Sequence, residues 1–204
     1  MSTLRLLRMA DLPLVAPRCC RWCGAPLPPR RTLWCGNAHR DLFALLSQGG
    51  LQRAAVFARD RGVCSACGLD TELLRQAWRQ VCSQAVHDFS ADYQALAKAV
   101  SRQRDASGRH YVGEAELRAR YKQRKADEAA RLAALGFKGA ESGHFWEADH
   151  VVPVIEGGGV RHGMTADQLL ANLRTLCLRC HRAATAALAA RRATARRPQQ
   201  VLGL

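Results

Sequence analysis

Hydrophobic residues along this 204-residue chain recur mainly at three- and four-residue spacing, the pattern of amphipathic helices. One run differs. Residues 145–154, FWEADHVVPV, are apolar and β-branched around a single Asp-His pair, which predicts a half-buried strand. Pro153 restricts that strand to an edge or an end of a sheet. The predicted helices are 41–48, 51–62, 70–104, 114–135 and 181–197.

Glycine-rich and basic stretches mark the breaks between these elements. Gly49-Gly50 is predicted to be a joint between the first two helices, and the three glycines at 157–159 end the strand in a loop. Residues 102–113, between the two longest helices, are basic and typical of a loop. The whole segment 70–143 is therefore predicted to be an all-helical insertion.

The composition limits the hydrophobic core. Hydrophobic residues make up 48% of the chain and aromatic residues only 6%, so the core consists mostly of Ala, Leu and Val. Cores of such small side chains are thin, and additional cross-links would help to stabilise the fold. The length suits one domain of ordinary size or two small ones.

The net charge of +14 is supplied mostly by arginine, which favours bidentate contacts with phosphate. A polyanion is the first partner to consider, and nucleic acid comes before a membrane. A solvated surface in an Arg-rich genome is the alternative. No stretch reaches membrane-spanning length, and the N-terminal 15 residues lack a signal-peptide pattern. We expect a cytoplasmic or nucleoid location in a bacterium, or a nuclear one in a eukaryote.

The nine cysteines include three C-x2-C pairs, and in a reducing compartment they are expected to bind metal rather than form disulfides. This spacing aims two thiolates at one tetrahedral ion. A glycine follows each of the first two pairs and permits the positive φ that such a turn often needs. The pairs are Cys20/Cys23, Cys64/Cys67 and Cys177/Cys180.

Two structural zinc sites are predicted from these pairs. One is a Cys3His set near the N-terminus, and the other joins the second and third pairs across a long connection, which costs little additional loop entropy. Several alternatives remain open. For the first site they are Cys19 in place of Cys20 and His39 as a surface residue opening a helix, and for the second site the alternative is a C-x2-C redox motif. The predicted ligands are Cys20, Cys23, Cys35 and His39, and then Cys64, Cys67, Cys177 and Cys180.

The second zinc site would bring Asp149, His150, Asn172 and His181 together. Phosphodiester hydrolysis needs a base for water, which a neutral imidazole provides, and a cation for the developing charge. Because neighbouring strand residues point to opposite faces, Asp149 can bind a divalent ion with His181 while His150 acts as the general base. Asn172 would hold the loop that orients this base. A buried hydrogen-bonded Asp-His pair is the alternative.

Five ordered segments resemble the HNH endonucleases of the ββα-metal (His-Me finger) class: VCSACG, FWEADHVVP, GGG, NLRTLC and LCLRCH. His150, Asn172 and His181 are the three signature letters. The match is with the HNH module at the C-terminus of eukaryotic annealing-helicase/translocase nucleases, and with small bacterial HNH proteins that begin with a CRWCG zinc finger. The resemblance implies a small zinc-stabilised α+β fold, with a ββα-metal core, a helical insertion and an N-terminal zinc finger.

The same resemblance implies a DNA-cleaving enzyme, a phosphodiester hydrolase that uses Mg²⁺ or Mn²⁺ and leaves 5′-phosphate ends. It also implies base, ligand and positioning roles for His150, Asp149, His181 and Asn172. The HNH proteins that this chain resembles often carry Cys where this chain has His39. The implied domains are a zinc finger at 18–50, an HNH nuclease domain at 51–197 that contains the insertion, and a tail at 198–204.

The last predicted helix would supply arginines that neutralise phosphates beside the site, namely Arg182, Arg191 and Arg192. Since no base-reading pattern is present, we expect weak sequence preference on duplex or branched DNA. A helicase or translocase acting in trans and a DNA-repair context are further implications of the resemblance. The rival hypotheses are a catalytically silent zinc-dependent DNA-binding adaptor and an RNA-processing factor.

Overall fold

The computed structural model describes residues 6–100 and 114–196. The chain divides into two compact units. The terminal unit consists of the described residues up to Leu69 together with those from Trp146 onward, and the middle unit is Asp70–Phe145. The predicted loop at 102–113 lies outside the described residues, and so do Arg197 and the tail at 198–204.

Helices and a two-stranded antiparallel sheet make up the regular structure of the described residues, which confirms the predicted α+β class. Among the described residues, no helix is both long and apolar enough to cross a bilayer. The elements are α1 (Asn37–Ser47), α2 (Gly49–Asp60), α3 (Thr71–Val100), α4 (Glu114–Ala134), β1 (Trp146–His150), α5 (Ala166–Ala171), β2 (Leu173–Cys177) and α6 (Leu178–Arg196).

Strands β1 and β2 pair so that Asp149 lies opposite Arg174 and His150 lies opposite Leu173. Strand β1 ends at His150, so the predicted strand at 145–154 was too long. Beyond it, the chain turns through Pro153, which lies outside the ladder because proline has no N–H to donate. The Asp-His pair therefore stands at the last two positions of the strand.

The core of the terminal unit lies between the sheet and helices α1, α2 and α5. Trp22 and Trp34, from the predicted zinc finger at 18–50, pack against this same core. His162 adds a contact, since its Nε2 lies 2.8 Å from the carbonyl oxygen of Trp22. The buried apolar residues are Leu7, Leu12, Leu46, Val56, Ala148, Val160, Met164, Leu169 and Leu173.

Three charged side chains fasten α2 to the sheet. Arg53 lies over the ring of Trp146, 3.8 Å from its centroid, and donates to the carboxylate of Glu147 at 2.9 Å. Arg59 donates to the carbonyl oxygens of Leu170 and Leu173. Asp60 accepts two hydrogen bonds from Thr175. Helix α2 therefore fixes both strands of the sheet at once.

Two local predictions were wrong. Gly49 and Gly50 are not a joint, because both lie in the first turn of α2 and Gln48 alone separates it from α1. Helix α5 was missed, since six residues are too few to show a helical period. Its start carries a capping box: Gln168 N donates to Thr165 Oγ1, and Thr165 N donates to Gln168 Oε1.

In the middle unit, α3 and α4 pack against one another. Asp70 caps the start of α3 by accepting from the backbone N–H groups of Glu72 and Leu73. Farther along, Arg124 donates to Asp88 at 2.6 Å across the two helices. These helices correspond to the predicted segments 70–104 and 114–135.

Candidate active site and metal clusters

The first Cys/His cluster has the dimensions of a zinc site. Cys23 Sγ and Cys35 Sγ are 3.8 Å apart, and His39 Nδ1 lies 3.7 Å from Cys20 Sγ. All four ligand atoms lie within 4.8 Å of one another. Two Zn–S bonds of about 2.3 Å at the tetrahedral angle place their sulfurs about 3.8 Å apart. The four predicted ligands are thus brought together with a spacing that fits zinc.

The second cluster joins two cysteine pairs that are far apart in the sequence. Cys67 Sγ lies 3.8 Å from Cys177 Sγ, and Cys64 and Cys180 complete a set within 4.8 Å. Cys177 ends β2 and Cys180 lies in the first turn of α6. Among the described residues, these two clusters are the only groups of three or more such side chains that could hold a metal ion.

Both clusters contain a turn that stabilises a thiolate. Burial acts to raise the pKa of Cys20, but backbone N–H groups lower it to about 6. Burial also acts to raise the pKa of Cys64, but backbone N–H groups lower it to about 7. Gly24 and Gly68 follow the two pairs with φ of 74° and 71°, which confirms the predicted positive φ. Since the thiolate is the form that binds metal, the backbone N–H groups of these two turns favour metal binding. Burial acts in the opposite direction on Cys35 and Cys180 and raises the pKa of each thiol.

Strand β2 is tied directly to the second cluster. Ser65, between Cys64 and Cys67, donates its backbone N–H and its hydroxyl to the carbonyl oxygen of Thr175. On the other side, Thr175 N and Oγ1 donate to Asp60 Oδ2 at 3.1 and 2.9 Å. A metal in the second cluster would therefore fix the end of β2 and the start of α6.

This arrangement brings Asp149 and His181 together. Asp149 Oδ1 lies 3.8 Å from His181 Nε2, and both side chains are 14% exposed. Within the described part of the chain, that nitrogen is buried without a hydrogen-bond partner. An ion bound at about 2.1 Å to each atom allows the two to be up to about 4 Å apart. The pair therefore fits two ligands of one divalent ion, with other positions left open.

His150 follows Asp149 at the end of β1 and is almost fully buried. It is 4% exposed, and neither ring nitrogen has a hydrogen-bond partner among the described residues. Burial lowers the pKa of His150 below its usual range, and the Asp149 carboxylate opposes that shift. The imidazole is therefore neutral near pH 7 and has a free lone pair, as a general base requires.

Asn172 holds the loop that follows His150. Its Nδ2 donates to the carbonyl oxygens of Gly158 and Val152 at 2.8 and 3.3 Å, and its Oδ1 accepts from Val152 N at 2.8 Å. Val151 N also donates to the backbone oxygen of Asn172. Asn172 thus ties both ends of the 152–158 loop to the end of α5.

Asp149, His150 and Arg174 open into a cavity of about 440 Å³ between the loop after β1 and α6. The cavity also has an apolar lining, which includes Val152, Ile155 and Leu188. Ile155 is 58% exposed. Polar groups combined with an apolar lining suit a ligand that carries a charged group on an apolar frame.

The predicted phosphate-binding arginines all lie on α6, where Arg182, Arg191 and Arg192 are exposed. Arg191 lines the cavity, where its Nη2 donates to Glu156 Oε1 at 3.1 Å. Arg182 and Arg192 do not line it. Their contact with DNA stays a prediction.

Sequence reasoning missed Arg174. Its Nη2 and Nε donate to Asp149 Oδ2 at 3.1 and 3.3 Å, and it lines the cavity. The signal was present in NLRTLC, where Arg174 alternates with the apolar Leu173. The role of Arg174 can be inferred only from the strand register, which places it opposite Asp149.

Residues 136–187 match the family model described as HNH endonuclease, and this stretch contains His150, Asn172 and His181. The chain contains an HNH endonuclease domain. The HNH domain encloses β1, β2 and the first half of α6, the elements that build the site. The domain is of a nuclease type, as predicted, and the roles of its individual residues remain predictions.

The chain is also similar to the protein called "DNA annealing helicase and endonuclease ZRANB3". The Mus musculus protein is 31% identical over 166 residues, which are 80% of this chain but 12% of the relative. The Bos taurus and Homo sapiens proteins are 29% and 28% identical over the same shares. The chain thus spans about an eighth of these relatives, and no solved structure matches it. The predicted resemblance to HNH modules of eukaryotic annealing-helicase nucleases is confirmed.

Proposed function

We propose that this chain is a metal-dependent endonuclease that hydrolyses DNA phosphodiester bonds with weak sequence preference. One observation carries the proposal: Asp149 Oδ1 and His181 Nε2 face each other at 3.8 Å beside a buried His150 whose ring nitrogens have no partner among the described residues. Unpartnered buried nitrogens cost stability, so their retention calls for a functional reason.

The residues fit two kinds of metal. The two cysteine-containing clusters suit structural zinc, since thiolate ligands favour it. Asp149 and His181 would hold Mg²⁺ or Mn²⁺ in an open site. A divalent ion bound there supplies a positive charge that stabilises the negative charge developing on the phosphate and the leaving oxygen.

The protein's own groups supply the remaining chemistry. His150 accepts a proton from the attacking water through a ring nitrogen. Asn172 keeps the 152–158 loop closed beside that imidazole, which fixes the distance between base and phosphate. The apolar lining of the cavity can contact the sugar beside the phosphate. General-base catalysis by such a histidine contributes about 10²–10⁴-fold.

DNA is proposed as the substrate from charge and from the relatives. The net charge of +14 and the exposed arginines of α6 favour a polyanionic backbone. The similar proteins are named as a DNA annealing helicase and endonuclease, so a branched substrate and a helicase or translocase acting in trans are part of the proposal. Backbone contacts of this kind predict a steep loss of affinity with salt.

A cleavage assay tests the proposal. Zinc-loaded protein is incubated with duplex, single-stranded and branched DNA and with RNA, first with Mg²⁺ and then with Mn²⁺. We expect DNA cleavage that His150→Ala reduces about 10³-fold while DNA binding persists. His87→Ala is the matched control, because His87 is 79% exposed on α3. Cleavage by His150→Ala at the wild-type rate would exclude His150 as the base.

One observation favours a second candidate, a catalytically silent DNA-binding adaptor. Arg174 already donates twice to Asp149, so that carboxylate is neutralised without an ion. An adaptor would bind DNA but would have no affinity for a divalent ion outside the cysteine clusters. A titration with Mn²⁺ separates the two candidates.

A further inference from the structure

We propose that Arg174 is a positioning residue that makes divalent-ion binding weaker without DNA than with it. It holds one oxygen of Asp149, leaves the other for the ion, and presents its remaining donors to the phosphate that is cut. The inference rests on the proposed function and goes beyond it by linking the ion site to the substrate.

The two oxygens of Asp149 have separate neighbours. Oδ2 accepts from Arg174 Nη2 and Nε at 3.1 and 3.3 Å, whereas Oδ1 faces His181 at 3.8 Å. The register of the sheet enforces this division, since Asp149 and Arg174 are directly opposed on β1 and β2. While Arg174 stays in place, Asp149 can therefore offer the ion only one of its two oxygens.

Arg174 has donors to spare. A guanidinium carries five N–H donors, and Asp149 takes two of them, which leaves three. The Arg174 side chain is 35% exposed and lines the same cavity as Asp149 and His150. A phosphate placed between the ion site and His150 would lie within reach of these donors, which match phosphate oxygens geometrically.

The charge of Arg174 has opposite effects on the two partners. A fixed positive charge about 3 Å from the ligand carboxylate opposes the binding of a cation in the absence of DNA. The same charge attracts phosphate. Once a phosphate is bound, its negative charge offsets the guanidinium, so the ion binds more tightly. Such coupling is reciprocal: the ion strengthens DNA binding by the same factor.

The test removes the charge while keeping most of the apolar stem of the side chain. Arg174→Met is compared with Arg161→Met, an exposed arginine of the same unit that does not line this cavity. Mn²⁺ is titrated calorimetrically into zinc-loaded full-length protein without DNA, since a hard ion does not displace zinc from thiolates. DNA affinity is measured separately by fluorescence anisotropy without divalent ions.

We expect Arg174→Met to bind Mn²⁺ roughly fivefold more tightly than wild type, as for the loss of a partly exposed ion pair, and to bind DNA several-fold more weakly. Arg161→Met should leave Mn²⁺ affinity unchanged. Arg174→Lys keeps the charge and loses the paired donors, so its Mn²⁺ affinity should stay near wild type. Circular dichroism and zinc content verify that each variant is folded.

Opposite changes in the two affinities distinguish this role from a structural one. If Arg174 only supported the fold, both affinities would fall together, and that result would overturn the inference. Unchanged Mn²⁺ affinity in Arg174→Met would overturn it as well, while leaving the nuclease proposal intact. Wild-type protein that binds no Mn²⁺ outside the cysteine clusters would instead overturn the proposed function and this inference with it.

Discussion

Among single residues, Gly158 and Asn172 show how closely the loop around His150 is fitted. A Cβ built on Gly158 would lie 1.7 Å from the carbonyl oxygen of Val152 and 2.8 Å from Asn172 Nδ2. The Val152 oxygen and Asn172 Nδ2 both take part in the hydrogen bonds that hold the loop. Asn172 could be predicted from the sequence because it is a motif letter. The need for glycine at 158 could not, because it arises from a backbone approach across the loop.

Gly158→Ala should therefore damage catalysis more than it damages the fold. The loop must move by more than an ångström to admit the methyl group, and a displacement of that size at a reacting site costs about 10²-fold in rate. Gly50→Ala is the control, since a Cβ there meets nothing within 4 Å. Rates of DNA cleavage for the two variants are compared. Full activity of Gly158→Ala would show that the loop does not orient His150.

Among the elements, α2 and the second cysteine cluster place β2 from two sides. Thr175 is fully buried, and its polar atoms are satisfied by Asp60 and Ser65. The long helices could be predicted from their period. The predicted strand covered β1 but was too long, because sequence alone does not show where the hydrogen bonds between the strands stop. Helix α5 was too short for a period, although its Thr165–Gln168 capping box was readable.

Asp60→Ala tests this fastening. It would leave the buried N–H and hydroxyl of Thr175 without their acceptor, which should lower the free energy of unfolding by about 2–3 kcal/mol. Asp41→Ala removes an exposed carboxylate paired with Arg40 and should cost less than about 1 kcal/mol. Urea denaturation of zinc-loaded protein measures both. Equal losses for the two variants would contradict the fastening role of Asp60.

In the molecule as a whole, the spacing of cysteines carried most of the information. It predicted which side chains come together even though Cys67 and Cys177 are 110 residues apart. A metal site constrains partners independently of the intervening sequence, so the long insertion did not hide it. Arg174 remained hidden for the opposite reason: its role depends on strand register, and no spacing rule encodes that register.

Metal content tests this interpretation of the cysteine clusters. Purified protein should contain about two zinc ions, one for each cluster. Cys177→Ser should lose one of them and much of its stability, because structural zinc contributes on the order of 10 kcal/mol. Cys82→Ser is the matched control, since Cys82 belongs to neither cluster. Elemental analysis and thermal unfolding provide the readouts. A Cys177→Ser protein that keeps both zinc ions would contradict the second site.

The proposed nuclease site requires Asp149 and His181 to share a divalent ion beside His150. The most direct measurement is anomalous X-ray diffraction from crystals of zinc-loaded protein soaked in Mn²⁺. We expect a manganese peak about 2.2 Å from both Asp149 Oδ1 and His181 Nε2, with zinc peaks in the two cysteine clusters. An absence of manganese between Asp149 and His181 in well-ordered crystals, with both zinc sites filled, would contradict it.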